Sequence, residues 1–114
     1  MKIAFTGHRN KQASIEDIEN IVKQYPDAVF IHGGAIGFDS QISTFAKKNE
    51  IKEIIIKPDY KSYGRSAPII RNKEIVNQSD IVFALYDGRL SGGTFFTINF
   101  AEKNNKKVIR LKPC

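Results

Sequence analysis

Lys2-Ile3-Ala4-Phe5-Thr6-Gly7-His8-Arg9 is an apolar run of strand length that stops at a glycine. Lys2–Thr6 is too short for a helix and is bounded at once by a turn former, so it reads as a buried β-strand feeding a loop. The next segment is helical. Ser14-Ile15-Glu16-Asp17 puts a hydroxyl in capping position with a carboxylate three residues on. Ile15, Ile18, Ile21, Val22 and Tyr25 then recur at helical spacing, and Pro26 closes the helix.

The same strand, loop and helix recur along the chain. Ala28–His32 is a second strand leading into Gly33, and Phe38, Ile42, Phe45 and Ala46 mark a second amphipathic helix. Glu53–Lys57 is a third strand, stopped by Pro58; Pro68 suits the first turn of a third helix that runs to about Gln78. Ile81–Tyr86, Gly93 to Lys103 and Lys107–Leu111 complete the series as strand, helix and strand. Strictly alternating elements predict an α/β fold, a Rossmann-like three-layer sandwich. Its five-stranded parallel sheet takes the order 3-2-1-4-5, with helices on both faces. Ligands of such sheets sit beyond the carboxyl ends of the strands, where the order switches.

Residues 1–114 form one domain in this reading, with no repeat, linker or low-complexity tract. A hydrophobic fraction of 41% excludes a disordered chain. No apolar run approaches the roughly 18 residues of a membrane span. The amino-terminal residues lack the apolar stretch of an export signal, so a cytoplasmic protein is expected, with no membrane as partner. The single cysteine, Cys114, excludes a disulfide framework, and two distant histidines exclude a structural zinc site on ligand count. The net charge of +6 favours an anionic partner. The lysines are scattered and not interleaved with aromatics, so nucleic acid is not the expected partner.

Glycine placement carries the functional signal. Gly7, Gly33, Gly34, Gly37, Gly64, Gly88, Gly92 and Gly93 all fall in strand-to-helix loops, and the four return loops contain none. Turn formation alone would favour glycine just after helices. The bias instead points to backbone that approaches a ligand, beside helix N-termini whose free N–H groups suit phosphate. Arg9, Arg65, Arg71 and Arg89 share that edge.

The candidate ligand-binding residues group by loop. Ser91, Gly92, Gly93 and Thr94 form a phosphate cradle of amides and two hydroxyls at a helix start. After the first strand come Thr6, Gly7, His8 and Arg9, with Arg9 placed to pair with phosphate or stack on a base. The second loop supplies Gly33, Gly34, Ala35, Gly37 and Asp39; its glycines are not spaced as a dinucleotide fingerprint, and Asp39 is placed for ribose hydroxyls or for capping its own loop. Arg71 and Asn72 offer a fork for phosphate. Tyr63 and Arg65 are placed to cover the ligand, and Asp87 to meet it or to make a turn. His32 reads as a satisfied strand-end histidine.

Thr6-Gly7-His8-Arg9, Gly33 through Asp39, Tyr63 through Asn72, and Ser91-Gly92-Gly93-Thr94, in that order, resemble the YspA-like branch of the SLOG superfamily. That superfamily includes the LOG phosphoribohydrolases and the DNA-processing protein DprA, with domains held to sense nucleotide or ADP-ribose-like ligands. The resemblance implies a nucleotide site. It also matches Arg71 to an arginine that LOG enzymes place near the scissile bond. LOG enzymes follow a Pro-Gly-Gly-x-Gly-Thr loop with a catalytic glutamate. Here Phe95, Phe96 and Thr97 come after Thr94, and the next carboxylate is Glu102.

The expected function is therefore binding of a phosphate-bearing, nucleotide-derived small molecule, NAD-related or ADP-ribose-like, as a sensor or a sequestering sponge. No cofactor is required, and a ligand-borne Mg²⁺ is compatible. The catalytic residues stay unassigned. The alternative is a nucleoside 5′-monophosphate phosphoribohydrolase or related nucleotide hydrolase using Arg71, His8 and Asp39. Phe95, Phe96, Ile98 and Phe100 place apolar groups all round one helix. That predicts a homodimer or homotetramer packed through it.

Overall fold

A computed structural model describes residues 1–114. In chain order the elements are β1 (Lys2–Gly7), α1 (Ile15–Gln24), β2 (Val29–His32), α2 (Phe38–Lys48) and β3 (Glu53–Ile55). A short α3 (Tyr60–Tyr63), a 3₁₀ turn (Gly64–Ser66), α4 (Ala67–Gln78), β4 (Ile81–Leu85), α5 (Gly93–Lys103) and β5 (Lys107–Leu111) complete the chain. The strands form one parallel sheet in the order β3-β2-β1-β4-β5. No helix is long and apolar enough to cross a membrane.

The layering stems from strand alternation. On one face Ile3, Phe5, Phe30 and Phe83 pack with Ile18 and Ile21 of α1 and Phe38, Ile42 and Ala46 of α2. On the other, Ala4, Ile31 and Val82 meet Ile75 and Val76 of α4 and Ala101 of α5. Phe5 is the hub of the first face, with ring centroids 4.7 Å from Phe30, 6.0 Å from Phe38 and 5.9 Å from Phe83. All five residues of β4 are buried, as a central parallel strand covered on both faces must be. The three-layer Rossmann-like sandwich expected from the sequence is the fold observed.

Ser14 caps α1, its Oγ accepting the Asp17 N–H at 3.1 Å. The third crossover differs from expectation. The stretch before Pro68 contains α3, capped by Asp59, whose Oδ1 accepts the Ser62 N–H at 3.1 Å. None of its residues is buried, so no apolar periodicity marks it in the sequence. The α5 helix also differs, because it is not apolar on all sides. Asn99 and Glu102 are exposed, while Phe95, Phe96 and Phe100 stay half-buried, and Phe96 stacks on Phe100 with Lys73 Nζ 5.6 Å above the latter ring.

The glycine-free return loops carry a cost. Glu50 (φ 56°) and Asn105 (φ 60°) both adopt left-handed backbone. Each sits just past a helix end in a Schellman arrangement: the Ile51 N–H donates to the Ala46 carbonyl at 2.8 Å, and the Lys106 N–H to the Ala101 carbonyl at 3.0 Å. Asparagine tolerates this region better than glutamate does. Left-handed backbone costs an ordinary residue roughly 1–2 kcal/mol, and glycine's greater chain entropy takes back about 0.5–1 kcal/mol. Glu50→Gly is therefore expected to raise stability by about 0.5–1 kcal/mol, and Asn105→Gly by less, read as a higher urea midpoint at unchanged slope.

Candidate functional site

A cavity of about 510 Å³ opens beyond the carboxyl ends of β1 and β4, the two strands between which the chain order reverses. Its size lies in the range of small-molecule sites, about 300–1,000 Å³. The end of β1 contributes Thr6, Gly7, His8 and Arg9. Gly33, Ala35 and Asp39 come from the loop into α2. The first turns of α4 supply Arg71 and Asn72, and the start of α5 supplies Gly92, Gly93 and Thr94.

Of the fifteen candidate ligand-binding residues, three lie outside this lining, as does Asp87. Gly34 turns toward β3, where an added Cβ would meet Ile55. Gly37 (φ 81°) is the N-cap of α2 and packs on the Arg9 carbonyl, too close for a side chain. Ser91 is exposed, and Gly92 takes the N-cap of α5, so the cradle keeps one lining hydroxyl, that of Thr94, instead of two. Tyr63 and Arg65 are exposed away from the cavity. Sequence reading did not single out Asn10, Pro68, Ile75 and Thr97 as lining residues, nor Phe5. Asn10 directly follows the Thr6–Arg9 motif, and that adjacency was the available signal. Phe5 precedes the motif on β1, and Pro68, Ile75 and Thr97 reach the cavity only through the docking of α4 and α5.

Several glycines prove to serve the chain itself. A Cβ at Gly33 would overlap the Arg71 guanidinium, and one at Gly7 would lie 2.5 Å from the Phe38 ring. The space at Gly33 is occupied by a bond: Arg71 Nη1 donates to the Gly33 carbonyl at 3.0 Å, while Nε donates to Asn72 Oδ1 at 2.9 Å. Burial pulls the Arg71 pKa down, and Asp39 opposes this.

Asp39 is nearly buried, and its Oδ2 accepts the Gly33 and Ala35 N–H groups at 3.3 and 3.2 Å. Burial raises its pKa, against those hydrogen bonds and the charge of Arg71. The loop is braced from behind by His32. Its Nδ1 accepts the Gly34 N–H at 3.0 Å, so Nε2 carries the proton to Glu53 Oε2 at 2.8 Å. Ser43 Oγ donates to the other Glu53 oxygen at 3.0 Å. Burial works to raise the Glu53 carboxyl, but the His32 and Ser43 hydrogen bonds prevail and hold it below its usual value.

Across the cavity, Asp87 gathers its neighbours. Arg89 clamps it with Nε 3.0 Å from Oδ1 and Nη2 2.5 Å from Oδ2, which holds the Asp87 carboxyl far below the usual range. The Asp87 N–H donates to His8 Nε2 at 3.2 Å. His8 is 6% exposed, and burial lowers its pKa, with Arg89 and Lys11 adding to this and Asp87 opposing it. The imidazole is thus neutral at pH 7. Asp39 is the single carboxylate in the lining, and Glu102 lies on the outer side of α5, 3.7 Å from Arg110.

At the start of α5, the first N–H groups have no intrahelical acceptor, and no side chain caps them. The site is therefore a polar cleft with a helix N-terminus on one wall and arginines around it, at the switch point of a doubly wound sheet. The chain belongs to the YspA, cpYpsA-related SLOG family, whose profile matches residues 1–63, just over half of its length. The matched stretch holds the Thr6–Arg9 and Gly33–Asp39 walls and ends before α4. No curated protein and no solved structure matches the chain.

The His8 environment sets a pH dependence. Its folded pKa lies below the ordinary value of 6.5, so the unfolded chain binds the proton more readily, and stability must fall as pH drops below about 6.5. His8→Asn is expected to flatten that limb of the stability–pH curve. NMR titration should place the His8 midpoint below 6.5.

Proposed function

We propose that the cavity binds a phosphate-bearing, nucleotide-derived ligand, and that the protein holds this ligand as a sensor or a sequestering domain. One observation carries the reading. The uncapped N-terminus of α5 and the guanidinium of Arg71 face the same cavity, from elements on either side of β4 in the sequence. Amides and a guanidinium together suit a phosphate, because each is a donor that cannot be satisfied by another cation. Family membership supports a nucleotide-related ligand in general terms. Holding is favoured over cleavage because Asp39, the one lining carboxylate, is tied to the Gly33 and Ala35 amides. Neutral His8 in the same lining as Arg71 favours the second reading, a phosphoribohydrolase or related nucleotide hydrolase.

Calorimetry against AMP, ADP-ribose and NAD tests the site. Binding is expected for at least one of them. Arg71→Ala should weaken it about ten- to a hundredfold, the loss of a charged hydrogen bond worth about 1.5–3 kcal/mol. Gly93→Asp puts a negative charge at the amides and should abolish it. Release of free base from a nucleoside monophosphate would select the hydrolase instead.

We also propose that the half-buried Phe95, Phe96 and Phe100 are covered by a second copy of the chain. Sedimentation at micromolar concentration is expected to give a dimer or tetramer; a monomer alone would remove the proposal.

A further inference from the structure

The loop from β4 to α5 is tied mainly to itself. The Arg89 carbonyl accepts from the Tyr86 hydroxyl, and the Arg89 N–H and guanidinium donate to Asp87. The loop is hydrogen-bonded to the rest of the protein at its root, where Asp87 meets His8. Gly88 (φ 95°) and Gly92 (φ 93°) bracket the free part. Both hold left-handed backbone, with open space where a side chain would stand. Glycines at the two ends of a loop absorb a change of direction at little steric cost.

Two side chains on this loop are poised rather than spent. Leu90 is 81% exposed, the most exposed large hydrophobic residue of the chain. Ile36, next at 68%, sits on the loop after β2, so the two lie on loops either side of β1. Arg89 lines the cavity, yet its guanidinium is turned to Asp87, with Nε 3.0 Å from Oδ1 and Nη2 2.5 Å from Oδ2. Nearly half of the Arg89 side chain is exposed. An exposed ion pair contributes little, because water competes for both charges. The same guanidinium forked onto a phosphate in a cleft makes charge-assisted bonds of the stronger kind. Asp87 therefore stands in for a ligand's anionic group until a better anion arrives.

We infer that the Asp87–Arg89 pair is an autoinhibitory latch, and that residues 88–91 are the lid it holds. An anionic ligand in the cavity draws Arg89 off Asp87. The loop turns about Gly88 and Gly92, and Leu90 comes over the cavity mouth. Asp87 stays behind on His8. Arg89 is thereby a ligand-contacting residue, and Asp87 tunes affinity without touching the ligand. The latch rests on the phosphate-ligand reading above and adds a gate to that site.

Calorimetry on the wild type, Asp87→Asn, Arg89→Ala and the double variant, each titrated with AMP, ADP-ribose and NAD, tests the latch. Asp87→Asn removes the competing charge and should tighten binding about two- to fivefold, the worth of an exposed ion pair. Arg89→Ala should weaken it about tenfold. In the Arg89→Ala background, Asp87→Asn should change nothing. A gain there as large as in the wild type would mean that net charge alone acts, and would overturn the latch. Trypsin cutting after Arg89 reads the lid. Saturating ligand should slow that cut in the wild type, and an unchanged rate would overturn closure. Unchanged affinity in both single variants would overturn the latch and leave the nucleotide site standing. Binding by Asp87→Asn without binding by the wild type would support the latch. If neither binds any of the three compounds, both readings fall.

Discussion

The hydrogen bond from Arg71 to the Gly33 carbonyl ties together two parts of the chain 38 residues apart. It joins the loop leaving β2 to the helix that crosses back over the sheet. The bond needs a residue without a side chain at 33, since a Cβ there would overlap the guanidinium. It also needs the loop held from behind, which the chain Ser43–Glu53–His32–Gly34 provides. Both walls of the cavity are therefore set by polar contacts within the protein, and only the residual donors are free for a ligand.

This changes what the glycines mean. Their concentration at one sheet edge coincides with the cavity, but not through one mechanism. At Gly7 and Gly33 the close neighbour is the protein's own Phe38 or Arg71, and at Gly37 it is the Arg9 carbonyl. At Gly92 and Gly93 nothing in the chain crowds the missing side chain. The space at those two residues faces the cavity. The first group builds the cleft, and the second leaves it open. The complementary cost falls on the opposite edge, where Glu50 and Asn105 accept left-handed backbone without glycine's freedom.

The charge of the site is likewise less than its arginine content. Asp87 occupies Arg89, and Gly33 and Asn72 take two of the donors of Arg71. His8 is neutral because burial outweighs the attraction of Asp87. The remainder is a cleft whose donors are positioned before any ligand arrives, and preorganised donors lose little freedom on binding. Its lone carboxylate is engaged with the loop that carries it.

The sequence by itself determined the element order, the sheet order and the edge that carries the cavity. These depend on local signals: short apolar runs, helical spacing, and glycines placed after strands. Twelve of the fifteen ligand-binding residues it nominated line one cavity, because loops at the same end of parallel strands converge of necessity. The short α3 escaped because it buries nothing. Gly34, Gly37 and Ser91 fell outside because a loop residue can face either way, and only packing against Ile55, Arg9 and solvent chose the direction. Which donors remain free was decided by tertiary structure alone. One Arg71 N–H is taken by a carbonyl 38 residues away, and His8 accepts from an amide 79 residues away. Pairing between residues so distant in sequence leaves no mark on composition or periodicity.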